Sequence, residues 1–245
     1  MTTPLSVQLY TLREEAKSGI KPVIEKLARI GFDGVEAAGF GDMDASAFKN
    51  FVESLGMKVS GSHIGLPSMD EAESFLDTQT GLGPTDLIVA FLPPDQFSSE
   101  DEVKRAADKM NNFNQLVCER DCTLGYHNHW FEFSSLISGN PAYTLFFNLL
   151  DDSIFAELDT YWAQTGGVDP ASTVSQLGKR AKLLHIKDGP ADNHESSMVA
   201  AGEGSINIPA ILQCSQADWH IVELDQCDTD MFTAVKKSYS YLRAR

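Results

Sequence analysis

Four stretches of the chain place two chemically versatile side chains two positions apart at the end of an aliphatic run. They are His127 and His129 in Gly125-Tyr-His-Asn-His-Trp-Phe-Glu132, Glu157 and Asp159 in Phe155-Ala-Glu-Leu-Asp159, His185 and Lys187 in Leu183-Leu-His-Ile-Lys187, and Glu223 and Asp225 in Ile221-Val-Glu-Leu-Asp225. Side chains alternate across a strand, so each pair shares one face. A lone imidazole or carboxylate at a strand end is usually satisfied by ordinary hydrogen bonds. Four pairs on neighbouring strands are harder to accommodate, because each buried charge costs several kcal/mol unless it is paired or holds a cation. Imidazole together with carboxylate oxygens suits Mn²⁺, Co²⁺, Zn²⁺ or Mg²⁺ in a site with open positions for hydroxyl and carbonyl oxygens of a substrate.

Positioning such pairs requires a repeated strand–helix architecture, and the hydropathy pattern supplies one. Strand-like runs at Leu5–Tyr10, Gly34–Ala38, Lys58–His63, Asp86–Leu92, Thr123–His129, Ile154–Asp159, Ala181–Lys187 and Trp219–Asp225 alternate with stretches of helical period, such as Val23, Ile24, Leu27 and Ile30 or Phe48, Phe51, Val52 and Leu55. Gly31 and Gly56 follow these stretches as helix stops. No Pro- or Ser-rich linker divides the chain, so residues 1–245 read as a single domain. Eight βα units at this length predict an α/β fold, a closed (β/α)8 TIM barrel, with a doubly wound open sheet as the structural alternative. Gln8-Leu-Tyr-Thr-Leu-Arg13, after the first strand, lacks GxGxxG, which argues against a dinucleotide-binding open sheet.

Composition narrows the partners. The 35 Asp and Glu outnumber the 19 Lys and Arg, leaving a formal charge of −16 that opposes nucleic acid. No apolar run has the length of a membrane span, and the first residues lack a secretory layout, so the expectation is a cytoplasmic protein with no membrane association. Cys118, Cys122, Cys214 and Cys227 form no CxxC pair and read as ordinary thiols.

The phrases Gln8-Leu-Tyr-Thr-Leu-Arg13, Gly125-Tyr-His-Asn-His-Trp-Phe-Glu-Phe133, Glu157-Leu-Asp-Thr-Tyr-Trp162, Leu184-His-Ile-Lys-Asp-Gly189, Gly202-Glu-Gly-Ser-Ile-Asn207 and Val222-Glu-Leu-Asp225 resemble the sugar phosphate isomerase/epimerase superfamily. These are xylose isomerase-like TIM barrels that include inosose dehydratase, ketose 3-epimerases and endonuclease IV, and the resemblance spans nearly the whole chain. In the ketose-epimerase branch a divalent metal is held by a Glu, an Asp, a His and a Glu on the fifth to eighth strands. The resemblance implies Asp159, His185 and Glu223 for the last three. The fifth-strand Glu falls on Gly125, so His127, His129 or Glu132 must substitute, and His127, on the parity of Gly125 and one step nearer the mouth, is favoured. The family's two metal-bound glutamates move a proton beside a carbonyl; here Glu223 would act with His129 or Glu132, and Lys187 would stabilise the enolate or pair with an acid. A β-elimination would suit the same set.

His63, Glu36, Trp162 and Tyr10 are expected to face the substrate, with Trp130 and Phe40 as further wall residues and Gly202 and Gly204 as hinges of a mobile lid or turns of a static loop. No GxxxxGK[ST] loop and no basic cluster beyond Lys187 occurs, so a neutral sugar, keto-sugar or cyclitol is preferred to a phosphorylated one. The leading expectation is a metal-dependent isomerase, epimerase or lyase acting on a small carbohydrate or polyol, in a symmetric homodimer by default. The alternatives are a non-catalytic sugar-binding barrel and, more distantly, an endonuclease IV-like phosphodiesterase.

Overall fold

A computed structural model describes residues 3–245. Eight strands run parallel in the order β1-β8-β7-β6-β5-β4-β3-β2, where β1 is Leu5–Val7, β2 Gly34–Ala37, β3 Lys58–Ile64, β4 Asp86–Val89, β5 Thr123–His127, β6 Phe155–Asp159, β7 Ala181–Ile186 and β8 Trp219–Val222. The edges β1 and β2 meet through a parallel bridge between Gln8 and Glu36, and the Asp33 amide donates to the Leu5 carbonyl at 2.9 Å, so the sheet closes on itself. This is the single-domain TIM barrel expected from the hydropathy pattern. Around it lie α1 (Ile20–Ile30), α2 (Ala45–Ser54), α3 (Met69–Gln79), α4 (Glu100–Cys118), α5 (Phe131–Ser134), α6 (Ala142–Leu149), α7 (Thr160–Thr165), α8 (Pro170–Leu177), α9 (Ile208–Cys214) and α10 (Met231–Arg243). None of these is long and apolar enough to cross a membrane.

Local sequence explains where the elements stop. Helix α1 buries Ile20, Val23, Ile24 and Leu27 on one face and ends at Gly31, whose φ of +113° suits glycine and whose missing Cβ leaves room for the Tyr239 hydroxyl. Strand β1 is shorter than expected because the Gln8 side chain accepts the Tyr10 amide at 3.0 Å and turns Leu9–Leu12 into a short 3₁₀ segment. Strand β5 stops at His127, two residues early, because the Asn128 side chain replaces the backbone ladder: its Oδ1 accepts the Asp159 amide at 3.0 Å and its Nδ2 donates to the Asp159 carbonyl at 3.2 Å. Strands β4 and β8 likewise end before Leu92 and Asp225.

Three strands fill the barrel interior by the same rule. Phe155, Leu183 and Ile221 join Ile88 in a small apolar cluster at the bottom, while two residues further along each strand come Glu157, His185 and Glu223, and two further Asp159, Lys187 and Asp225. The bottom layer accounts for Gly125. It is paired in register with Phe155, and a Cβ there would collide with the Phe155 ring, which fills the volume that a longer side chain would need. Gly125→Ala is therefore expected to cost about 1–3 kcal/mol in urea unfolding. Most of that loss should return in Gly125→Ala/Phe155→Leu; an equal loss in both backgrounds would show that the ring is not the obstacle.

Candidate functional site

The C-terminal ends of the strands surround a cleft of about 590 Å³. Tyr10, Ala38, Ile64, Ala90 and Phe91, from the β1–β4 side, make an apolar wall, and His63, His127, His129, Glu223 and Asp225 supply the polar groups. No Arg or Lys lines it.

Beneath the cleft lies a fully connected set of ionisable groups. Glu36, Glu157, Asp159 and His185 are completely buried, and Lys187, His127 and Glu223 nearly so. Glu157 Oε2 lies 2.5 Å from His63 Nε2 and 3.2 Å from both His127 Nδ1 and His185 Nε2. His185 bridges carboxylates on both sides of its ring, with Nε2 2.8 Å from Glu36 and Nδ1 2.8 Å from Glu223. Gln8 Nε2 donates to the same Glu36 oxygen at 2.7 Å. Nearer the mouth, Lys187 Nζ reaches Asp159 at 2.9 Å, Glu223 at 2.7 Å and Asp225 at 2.6 Å. The other Asp159 oxygen accepts the Trp162 amide at 2.8 Å and caps α7, which fixes the carboxylate's direction.

Burial and charge push these groups apart. Burial, reinforced by Glu157, raises Glu36 to about 7. Burial raises Asp159 to about 6 against the pull of Lys187, and lowers His127 to about 3. Burial would depress His185, yet Glu157, Glu223 and Glu36 outweigh it and hold the ring well above its ordinary value. Glu157 and Glu223 stay ionised despite burial because His185, with His63 for the first and Lys187 for the second, draws them well below the usual carboxylate range. Two buried oxygens, Glu36 Oε1 and Glu157 Oε1, still lack a hydrogen bond, while His127 Nδ1 has Glu157 Oε2 at 3.2 Å and Asp159 Oδ2 has the Lys187 ammonium at 2.9 Å. Two groups of four donors lie close enough to surround an ion, His127, Asp159, His185 and Glu223 toward the mouth and His63, His127, Glu157 and His185 toward the floor. Unsatisfied anionic oxygens beside imidazole nitrogens are the donor chemistry of a divalent transition metal.

Residues 24–214 match the family model described as the xylose isomerase-like TIM barrel. The chain belongs to that family. Among solved structures, a sugar phosphate isomerase/epimerase from Parabacteroides distasonis is 25% identical with a TM-score of 0.83, over 100% of this chain and 95% of that one. An L-ribulose 3-epimerase (16% identical, TM-score 0.73, 100% of this chain and 94% of that one) and the IolI protein with a bound zinc atom (16%, 0.73, 97% and 95%) share the fold. No curated protein sequence matches the chain.

Within this xylose isomerase-like barrel, His127, Asp159, His185 and Glu223 come together, His63 and Glu36 join them beside His185, and Lys187 joins them beside Asp159 and Glu223. Glu36 lies below the cleft, paired with His185 and Gln8, instead of facing it. Glu132 joins neither group: it is buried on α5, accepting the Tyr126 hydroxyl at 2.6 Å and the His129 amide at 2.9 Å. His129 lines the cleft, with its ring stacked on Phe131 and its Nδ1 unpartnered. Tyr10 stands at the rim, about half exposed, whereas Trp162 is buried beside Lys187, whose ammonium lies 5.2 Å from its ring. Trp130 stacks on His194 at 4.5 Å and Phe40 packs on Phe48, both outside the cleft lining. The segment with Gly202 and Gly204 is anchored, because Asp188 accepts the amides of Gly189, Gly202, Gly204 and Ile206 at 2.8–3.1 Å, so the static-loop reading fits and the lid reading does not. The sequence reading left two residues without a role. Glu157 shares the parity of Asp159, and Gln8 follows β1 directly, which were the available signals.

Burial raises Glu132 from 4.5 to about 8, so the folded protein holds a proton that the unfolded chain releases. Its contribution is complete below the unfolded value and is lost as pH rises toward 8, several kcal/mol in all. Glu132→Gln should flatten the decline in unfolding free energy between pH 5 and 8 relative to wild type. Parallel curves for the two proteins would contradict this. Separately, Asp188→Ala should speed amide hydrogen exchange at Gly202, Gly204 and Ile206 by at least about tenfold while leaving β7 protected.

Proposed function

We propose that the chain is a metal-dependent isomerase or epimerase acting on a neutral keto-sugar or cyclitol by proton transfer beside a carbonyl. The observation that carries this is the cleft floored by His63, His127, His129, Glu223 and Asp225, with buried unsatisfied carboxylate oxygens directly below and no arginine or lysine in its lining. A phosphate would find no arginine or lysine there, while hydroxyl groups find imidazoles and carboxylates. The apolar wall of Tyr10, Ile64, Ala90 and Phe91 suits the C–H face of a ring.

His127, Asp159, His185 and Glu223 would hold the ion, and when bound it supplies Lewis acidity toward a substrate carbonyl. His185 is oriented for this by Glu36 and Glu157 on its far nitrogen, an arrangement that fixes the tautomer. Glu223, ionised and open to the cleft, takes the proton from the carbon beside the carbonyl. His129, kept neutral by burial and with Nδ1 free, is placed to exchange a proton with the other face or with a substrate hydroxyl. Before an ion binds, Lys187 holds Asp159 and Glu223 together, and it would give them up to the ion by moving onto Asp225. Loss of a β-hydroxyl from the same enolate would make the reaction an elimination instead, with Glu223 as base and His129 as acid.

Elemental analysis of tag-free protein should find close to one divalent ion per chain, absent from Asp159→Ala/His185→Ala. Wild type should then exchange the proton beside the carbonyl of keto-sugars or inososes with heavy water, and the double variant should not. Carbohydrate binding without exchange would reduce the protein to a sugar-binding barrel.

A further inference from the structure

The two donor groups are stacked along the barrel and share two imidazoles through opposite ring nitrogens. Toward the mouth, His127 Nε2 faces Asp159 Oδ2 at 3.8 Å and His185 Nδ1 faces Glu223 at 2.8 Å. Toward the floor, His127 Nδ1 and His185 Nε2 each lie 3.2 Å from Glu157 Oε2, and His63 Nε2 lies 2.5 Å from it. Metal–ligand bonds of about 2.1 Å in a tetrahedron separate donors by about 3.4 Å. His127 and His185 stand close to that spacing from Glu157, His63 stands nearer, and all four floor donors lie within 4.8 Å of one another.

Three further observations favour the floor. Among the described residues no ammonium competes there, because Lys187 reaches only Asp159, Glu223 and Asp225 on the mouth side. Glu157 Oε1 and the neighbouring Glu36 Oε1, both in fully buried residues, have no hydrogen-bond partner. His63 and His127 both line the cleft, so an ion has a way in. We propose that the barrel offers a second seat for a divalent transition ion, held by His63, His127, Glu157 and His185, as an alternative to the seat nearer the mouth.

A neutral imidazole offers one bare nitrogen, so His127 and His185 serve one seat at a time and turn their N–H groups toward the other. Filling the mouth seat requires Lys187 to withdraw from Asp159 and Glu223 onto Asp225, whereas filling the floor seat leaves its ion pairs as they stand. Three imidazoles and one carboxylate favour Zn²⁺ or Co²⁺ over Mg²⁺.

This rests on the metal reading above, and Zn²⁺ binding by Asp159→Asn, His63→Gln and their double variant separates the two. Asparagine can still cap α7 through its side-chain oxygen. Zn²⁺-loaded Asp159→Asn should retain one ion, with X-ray absorption showing three imidazoles in its shell. His63→Gln should retain one ion with two imidazoles. The double variant should bind Zn²⁺ at least about a hundredfold more weakly than either single variant. An Asp159→Asn protein that is ion-free, or whose ion shows two imidazoles, overturns the floor seat alone. Wild type that binds no Zn²⁺ overturns this proposal and the metal-dependent function together.

Discussion

Carboxylates removed from water need positive charge near them, and the interior of this barrel is organised by that requirement. Glu36, Glu157, Asp159 and Glu223 are buried and Asp225 is partly so, while Lys187 is the one ammonium beside them among the described residues. A buried ion of this kind costs several kcal/mol unless its partners are well placed. Here Lys187 neutralises the mouth side, and His63 and His185 serve the floor, both drawn upward by the carboxylates around them in spite of burial. Glu36, raised to about 7, shares a proton with its surroundings. Oxygens of Glu36 and Glu157 remain without hydrogen bonds even so, and Glu157 belongs to a group of four side chains that could hold a metal ion.

The same requirement divides the barrel in two. Strands β5–β8 carry most of the charged interior, and the end of β3 with the segments after β1 and β4 carry the apolar wall of Tyr10, Ile64, Ala90 and Phe91. The cleft between them presents hydrocarbon from Tyr10, Ile64, Ala90 and Phe91 and imidazole or carboxylate from His127, His129, Glu223 and Asp225. The supporting network is rigid: Asn128 ties β5 to β6, Asp159 caps α7, Thr160 donates to the His185 carbonyl at 2.9 Å, and Asp188 clamps the long loop after β7. Precise placement of a first layer of ligands depends on such second-layer bonds.

Much of this was legible in the sequence, for a physical reason. A parallel barrel buries both faces of its strands, so charged residues at alternate positions near strand ends must face the interior; parity gave the four inward pairs and favoured His127, and the family resemblance picked out Asp159, His185 and Glu223 among them. Parity says nothing of depth. Glu157 and Asp159 share a face, but only the stagger of β6 against β7, with its register shift at Ala156/Glu157, places Glu157 among three imidazoles on the floor. Glu36 and Gln8 were hidden for the same reason, since their contact arises where β1 and β2 close the barrel. The anchored loop depends on Asp188 meeting amides up to 18 residues away, a pairing that local glycine content does not reveal. Glu132, two turns of chain beyond β5, is drawn away by Tyr126.

The central claim is that the buried cluster is built to hold a divalent cation, and folding thermodynamics tests it without knowledge of the substrate. Urea unfolding of metal-free protein should be measured with and without Zn²⁺, Mn²⁺, Co²⁺ and Mg²⁺. An ion that binds only the folded barrel raises the unfolding free energy by about 2.7 kcal/mol at a hundred times its dissociation constant. The account predicts such a gain with at least one transition ion and its loss in His127→Ala/His185→Ala. Unfolding curves that no divalent ion displaces would contradict it.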